Sequence, residues 1–161
     1  IGAVAGSARL LEATSPYTPG HLQHAGTFNG HLAAAAAGSA TLDHLDAAAI
    51  NRLNARSIEL ATAIEDGAEA AGLKVVVTRD GSIMNVHPHR APTNAKEAAK
   101  PYMFHRSLHL ALLLEGVYAS TRGMLNLSTA LTDSDLRDVA RAYGKAFQRI
   151  AESPDLFENH N

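Results

Sequence analysis

The sequence predicts an α+β fold in which helices pack on a small, mainly antiparallel sheet. The first sign is a pair of strand-like runs, 73–79 and 82–86, that flank Asp80-Gly81, a dipeptide typical of hairpin turns. Two further short strands are expected at 117–120 and 124–129, around Thr121-Arg122-Gly123. Helical patterns precede and follow these strands, which indicates helices packed on a sheet.

The chain divides into two parts on this pattern. Residues 1–49 resemble the tail end of a larger α/β domain that runs into the start of a linker helix. Residues 50–161 form the small C-terminal α+β domain. A length of 161 residues with 46% hydrophobic residues is enough for one globular unit, or for one domain plus a piece of another.

The first part contains three predicted elements. The apolar, glycine-punctuated segment 1–5 is expected to be a buried strand. A short helix then runs to Glu12, with Ser7 as its N-cap. After a loop with two prolines at 13–23, an alanine-rich helix spans Leu32–Leu42.

The second part opens with a long helix from about residue 46 to 71 and ends with another that begins after a Thr132/Asp135 capping box. A helix at 102–115, ended by Gly116, lies between them, after a proline-bearing loop or short helix at 87–101. Apolar residues at helical spacing define the faces expected to be buried. These are Ile50, Leu53, Leu60, Ala61, Ile64 and Ala68 in the first helix, and Leu136, Val139, Ala140, Tyr143, Phe147 and Ile150 in the last.

Composition excludes several functional classes. A formal net charge of −2 gives no electrostatic basis for binding nucleic acid or an anionic membrane. The absence of cysteine excludes disulfides and thiolate metal sites. No apolar run approaches the roughly 20 residues of a membrane span, so we expect a cytoplasmic protein without a membrane partner.

The turn around Thr27 is the strongest candidate for a binding site. Gly26 and Gly30 permit positive φ and close backbone approach, and an alanine-rich helix follows directly. The hydroxyl and backbone N–H of Thr27, beside the positive end of that helix, suit an anion such as a phosphate. The alternative is that Thr27 is an ordinary helix cap.

Four segments, in order along the chain, resemble the class III aminotransferases, which depend on pyridoxal phosphate (PLP) and include glutamate-1-semialdehyde aminomutase. The turn His24-Ala25-Gly26-Thr27-Phe28-Asn29-Gly30-His31 resembles the family's GGTF-type segment. The others are Ile1-Gly2-Ala3-Val4-Ala5-Gly6-Ser7, which is similar to the run after the family's lysine; 108–118, which is similar to a late helix and strand; and 127–135, which matches the "LST-x-x-T-x-x-D" entry to the last helix.

This resemblance implies a fold and a site. The fold is the C-terminal part of a PLP-dependent transferase of fold type I, acting as a homodimer with cofactor sites shared across the interface. Thr27 is expected to bind the phosphate of the partner's PLP, and Gly26 to keep the backbone close. Arg122, on a turn between strands, is expected to bind a substrate carboxylate, for which a planar guanidinium is well suited. The alternative for Arg122 is a surface arginine at a hairpin.

The resemblance also predicts what this chain lacks. The family's cofactor-binding lysine would sit a few residues before Ile1, and none of the four lysines, Lys74, Lys96, Lys100 and Lys145, stands in its place. We therefore expect a fragment that is inactive alone, with no catalytic residue of its own. The complete parent would transfer an amino group between an amino acid or amine and a carbonyl acceptor.

Three other functions remain open at this point. The parent could be a glutamate-1-semialdehyde 2,1-aminomutase, which uses the same cofactor geometry. The chain could instead be a non-catalytic interaction domain with the same small-domain fold. A metal-dependent protein is the third, because His87 and His89 lie two apart and His105 and His109 lie one helical turn apart. No acidic residue accompanies them, which favours a polar loop and a half-buried helix face.

Overall fold

The computed structural model describes Gly2 and residues 4–153, which fall into two compact units, 1–46 and 47–161. The first unit contains helix α1 (Ala8–Leu11), a 3-10 turn at Glu12–Thr14 and helix α2 (Leu32–His44). The second contains α3 (Ala47–Ala70), β1 (Val75–Asp80), β2 (Ile83–Pro88), α4 (Ala95–Ala99), α5 (Tyr102–Leu114), β3 (Met124–Asn126) and α6 (Asp133–Ala151).

The predicted N-terminal strand is wrong for the residues that can be described. Gly2 and residues 4–7 have no strand structure, and Val4 is 71% exposed. Ile1 and Ala3, which belong to the same prediction, lie outside the described residues. A strand needs a neighbour for its backbone hydrogen bonds, and the described part of this unit contains no other strand.

Helices in the first unit follow the prediction closely. Ser7 stands at the N-cap of α1, although its side chain makes no capping hydrogen bond. Helix α2 begins at the expected residue and runs two residues further than predicted, to His44. Gly38 is the single buried residue among those described in this unit.

The sheet has the predicted antiparallel character with three strands in the order β1-β2-β3. Asp80 pairs with Ile83, so the two-residue hairpin loop is Gly81-Ser82, one position later than expected. Gly81 takes φ +57° there, a conformation that favours glycine. The carbonyl of Gly81 lies 2.7 Å from Oγ of Ser57, a buried hydroxyl of α3, which fastens the hairpin to that helix.

The predicted strand at 117–120 does not form. The N–H of Val117 donates to the carbonyl of Leu112 at the end of α5, where Gly116 has φ +82°. The carbonyl of Ala119 lies 2.7 Å from Nδ1 of His109, also on α5. These bonds tie the segment to a helix instead of a strand. Of the two strands predicted after α5, only β3 forms, and it pairs with β2.

One hydrophobic core lies in the second unit, between the sheet and helices α3, α5 and α6. Helix α6 begins at the predicted capping box, in which the side chains of Thr132 and Asp135 each accept the other's backbone N–H. Most of the predicted buried faces are correct, but Ile50 is 46% exposed. Leu136, Val139 and Ala140 are half-buried at the edge of the core. The fully enclosed residues include Ile64, Ala68, Val86, Phe104, Tyr143, Ala146 and Phe147.

Candidate functional site

Thr27 lies on an exposed turn that ends before α2. The turn is closed by the N–H of Asn29, which donates to the carbonyl of Gly26, and by the N–H of His31, which donates to the carbonyl of Phe28. The N-cap of α2 is His31, whose Nδ1 accepts the N–H of Ala34 at 3.2 Å. Thr27 is therefore not the cap of this helix, which removes the ordinary structural role considered for it.

The two glycines of this turn differ. Gly30 adopts φ +72°, as the sequence predicted, but Gly26 does not have a positive φ. A Cβ at Gly26 would lie 3.0 Å from Oδ1 of Asn29. Glycine at this position therefore leaves room for the side chain of Asn29, which belongs to the same turn. This close packing keeps the turn compact around Thr27.

The donors of the turn suit a phosphate. The Thr27 hydroxyl and the N–H groups of Thr27 and Phe28 have no hydrogen-bond acceptor among the described residues. Three unpaired donors on one exposed turn match the acceptor oxygens of a phosphate dianion. The residues present thus fit the phosphate end of PLP, and sequence motifs do not reveal that the backbone N–H of Phe28 is an additional unpaired donor.

Arg122 lies on the turn between α5 and β3, in the second unit. Its backbone N–H donates to Oγ of Ser120, and its side chain makes no ion pair with a described residue. Next to it, Gly123 has φ +75° and is buried. A Cβ there would lie 2.8 Å from both Oδ1 of Asn85 and the carbonyl oxygen of Val86, so this position requires glycine.

A pocket of about 460 Å³ opens beside Arg122. Polar groups from β2, α5 and the turn, and small side chains from α4, line it together. The lining residues are Asn85, Ala95, Ala98, Ala99, Tyr102, His105, Thr121 and Arg122. Nε2 of His105 lies 2.9 Å from the carbonyl oxygen of Val86, and since a carbonyl only accepts, this nitrogen carries the proton. The sequence predicted Arg122 but not the pocket, because part of its wall comes from a segment expected only to be an exposed loop or short helix.

The histidines do not assemble a metal site in the described part of the chain. His87 and His105 are brought together, with ring centroids 6.2 Å apart, but Nε2 of His87 lies 3.1 Å from Oγ1 of Thr78. His109 contacts the backbone of Ala119. Across Gly2 and residues 4–153, no group of three or more His, Asp or Glu side chains is arranged to hold a metal ion.

Burial controls the charge of His87. The side chain is 3% exposed, and desolvation, followed by the nearby imidazole of His105, lowers the pKa of His87 below its usual value. His87 is thereby favoured in its neutral form. Separately, no helix in the described residues combines the length and apolarity needed to cross a lipid bilayer.

Comparisons with known proteins place this geometry in a family. No protein-family model matches the chain. The chain is 35% identical over 140 residues to an uncharacterised aminotransferase of Schizosaccharomyces pombe, which covers 84% of this chain and 32% of that protein. It is 33% identical over 164 residues to a glutamate-1-semialdehyde 2,1-aminomutase of Propionibacterium freudenreichii, covering 99% and 36%. The chain thus spans about a third of the length of these curated relatives.

Solved structures give the same result. A β-phenylalanine aminotransferase from Variovorax paradoxus superposes with a TM-score of 0.70 and 30% identity, covering 97% of this chain and 36% of that one. An ω-transaminase from Sphaerobacter thermophilus matches with a TM-score of 0.70 and 25% identity, covering 92% and 35%. A transaminase with PLP bound, at 22% identity and a TM-score of 0.68, shares the fold. Over most of its length the chain is similar to class III aminotransferases and glutamate-1-semialdehyde aminomutases, which are PLP-dependent, and it matches about a third of each, as the C-terminal portion of such an enzyme does.

Proposed function

We propose that this chain is the C-terminal portion of a PLP-dependent aminotransferase that works as a cytoplasmic homodimer. The complete enzyme transfers an amino group between an amino acid or amine and a carbonyl acceptor. The observation that carries the proposal is the Thr27 turn, with three unpaired donors, in a chain related to named aminotransferases over most of its length.

Thr27 and the backbone N–H of Phe28 hold the phosphate of PLP, and that PLP belongs to the partner subunit. When bound, PLP supplies an electron sink for the carbon that loses its proton. The role of this turn is to hold the dianionic end of the cofactor in place, since hydrogen bonds to a charged acceptor are stronger than those between neutral groups. Gly26 keeps the turn closed because its carbonyl oxygen accepts a hydrogen bond from the N–H of Asn29.

Arg122 binds the carboxylate of the substrate. Its guanidinium has no acidic partner among the described residues and lies at a pocket, whereas Arg56, Arg90, Arg141 and Arg149 are each engaged by a carboxylate. A guanidinium group without an acidic partner, at the edge of a pocket, is suited to bidentate binding of a carboxylate.

The lysine that bonds PLP belongs to a part of the parent protein that precedes this chain, so the chain alone is inactive. A second function, glutamate-1-semialdehyde 2,1-aminomutase, is favoured by one specific observation. The relative that covers 99% of this chain carries that name. Assays of the parent with glutamate 1-semialdehyde, and with separate amino donors and carbonyl acceptors, distinguish the two.

Substitution of Thr27 tests the cofactor role. In the complete parent protein, Thr27→Ala is expected to weaken PLP binding about tenfold or more, because one charge-assisted hydrogen bond is lost. The measurement is PLP binding at equilibrium, followed by visible absorbance. Thr41→Ala is the matched control, since that hydroxyl donates to the carbonyl of Ala37 within α2. Unchanged PLP affinity in Thr27→Ala contradicts the proposal.

Mixed dimers test whether the site is shared between subunits. One subunit carries Thr27→Ala, and the other lacks the cofactor-binding lysine. If Thr27 serves the partner's PLP, the mixed dimer contains one intact site and recovers tight binding at half occupancy. If Thr27 serves its own subunit, neither site is intact and no recovery is seen.

A further inference from the structure

The pocket beside Arg122 offers a second polar group on the neighbouring strand. Asn85, at the centre of β2, has an Oδ1 atom that is enclosed and has no hydrogen-bond partner in the structure. This oxygen lies against Gly123, where a Cβ would come within 2.8 Å of it. Because Oδ1 is enclosed against the turn, the amide nitrogen is the polar end of Asn85 available to the pocket that this residue lines. That nitrogen brings two N–H donors, and neither has an acceptor among the described residues.

Arg122 and Asn85 therefore bring a cation and hydrogen-bond donors to a pocket whose lining is mostly apolar. Arg122 supplies a permanent positive charge, and Asn85 supplies an amide, while the lining contains no acidic side chain. Nε2 of His105 is committed to the carbonyl of Val86. The local field favours an anion with planar acceptor oxygens, and a carboxylate has this geometry.

The opposite side of the pocket is apolar. Ala95, Ala98 and Ala99 present methyl groups from α4, and the ring of Tyr102 continues this surface. Since these side chains are small, they leave a volume of about 460 Å³, which is within the range of small-molecule sites. A ligand bound here by its carboxylate places its apolar body against the alanines.

We propose that Asn85 is a second contact for the carboxylate that Arg122 binds, and that the alanine face of α4 selects ligands with a compact apolar body such as a phenyl ring. This inference rests on the role proposed above for Arg122. It adds a specificity-determining residue and a substrate class, namely carboxylates with an apolar side group.

The test is a titration of the full 161-residue chain, followed by amide chemical shifts, with 3-phenylpropanoate as the probe. We expect saturable shifts in the millimolar range that centre on Asn85, Ala98 and Arg122. Acetate has the carboxylate without the phenyl group, and 3-phenylpropylamine has the phenyl group without the carboxylate. Both are expected to bind at least about tenfold more weakly than 3-phenylpropanoate, because each lacks one of the two sets of contacts. Equal binding of the amine overturns the proposal.

Three variants locate the site, and each has a control on the exposed face of α3. Asn85→Asp places a negative charge beside the carboxylate, Ala98→Phe fills the apolar side, and Arg122→Gln removes the cation. The controls are Asn51→Asp, Ala55→Phe and Arg52→Gln, all at exposed positions. Each pocket variant is expected to weaken binding about tenfold, while the controls bind as the unaltered chain does. The amide spectrum of each variant reports whether it is folded.

Binding that survives both Asn85→Asp and Ala98→Phe in folded protein overturns the proposal, and so does the absence of saturable binding. Because this titration needs no PLP, its outcome is separate from that of the cofactor experiment. If Thr27→Ala leaves PLP affinity unchanged while the pocket variants weaken binding of 3-phenylpropanoate as expected, only the cofactor role of Thr27 is refuted. If Thr27→Ala weakens PLP binding but 3-phenylpropanoate does not bind at the pocket, only the proposal for the pocket is refuted.

Discussion

Gly123 shows how a single residue shapes the pocket wall. Its φ of +75° belongs to the left-handed region, and the space where a Cβ would stand is filled by Asn85, Val86 and His105. Backbone conformation and packing both require glycine here. The turn that carries Arg122 is thereby held directly against β2, through the bond from the N–H of Val86 to the carbonyl of Gly123.

We expect Gly123→Ala to lower the free energy of unfolding by about 2–4 kcal/mol, because strain at positive φ is added to a clash with backbone and side-chain atoms. Gly116→Ala is the control: Gly116 has φ +82°, but a Cβ there meets nothing within 4 Å. That variant should lose only about 1 kcal/mol. Urea unfolding measures both, and equal losses would show that the contacts at Gly123 are not restrictive.

His87 links stability to pH. Its pKa is lowered in the folded state, so the unfolded chain takes up the proton first as the pH falls through the ordinary histidine value of 6.5. Stability is therefore fully present above that value and falls on acidification below it. The contribution has a limiting slope of about 1.4 kcal/mol per pH unit for one proton.

We expect His87→Gln to reduce the slope of unfolding free energy against pH between pH 7.5 and pH 5.5, as measured by urea unfolding at several pH values. His44→Gln, at an exposed position at the end of α2, is the matched control. An identical slope in His87→Gln and in the unaltered protein would contradict the linkage. Carboxylates change the unfolding free energy only at lower pH than this histidine does. For example, hydrogen bonds from Arg90 and Thr93 lower the pKa of Glu97 to about 2.

At the scale of elements, α3 and α6 cross at a pair of glycines. A Cβ at Gly67 would lie 3.3 Å from the Cα of Gly144, whereas a Cβ at Gly144 meets nothing within 4 Å. The absence of side chains lets the two helix backbones approach each other closely. Away from this contact, Arg56 joins the same helices by donating to Asp133 at 2.6 Å and to the carbonyl of Leu131.

The two glycines are expected to respond differently to substitution. Gly144→Ala should raise the free energy of unfolding by about 0.5–1 kcal/mol, since alanine is favoured over glycine inside a helix. Gly67→Val should lower it by about 1–3 kcal/mol, because the added methyl groups force the helices apart. Thermal and urea unfolding check both, and a stabilised Gly67→Val variant would mean that the crossing tolerates side chains.

At the scale of the whole molecule, the two units differ in how they are stabilised. Among the described residues, every buried hydrophobic side chain comes from the segment between Ala49 and Ile150. The first unit exposes its large apolar side chains, among them Tyr17 at 92%, Phe28 at 76% and Leu32 at 83%. Burial of apolar surface is the dominant favourable term in folding, so the second unit supplies most of the stability.

We expect a chain of residues 47–161 to unfold cooperatively, with a free energy of unfolding within about 1 kcal/mol of the full chain, because its core is complete. The measurement is urea unfolding followed by far-UV circular dichroism. Residues 1–46 alone serve as the control and should show no cooperative transition. Loss of cooperative unfolding in 47–161 would mean that its core depends on the first unit.

Much of the fold could be predicted because it depends on local chemistry. Helix boundaries follow from capping groups and glycines near in sequence, as with Thr132 and Asp135 at the start of α6. The hairpin follows from two β-branched runs around a glycine turn. The failures concern predicted strands that found no strand partner. The N–H of Val117 donates to Leu112 at the end of α5, five residues earlier, and the described part of segment 1–5 has no strand to pair with.

The sequence by itself determined the α+β class, the capped helices and the two residues, Thr27 and Arg122, on which the proposed site depends. Tertiary structure decided which side chains surround them. It made His31, and not Thr27, the N-cap of α2, brought the rings of His87 and His105 within 6.2 Å of each other, and set Asn85 and α4 beside Arg122. The physical reason is that propensity and capping act within a few residues, whereas a pocket is formed by residues up to 37 positions apart, from Asn85 to Arg122, that meet only after the core has packed.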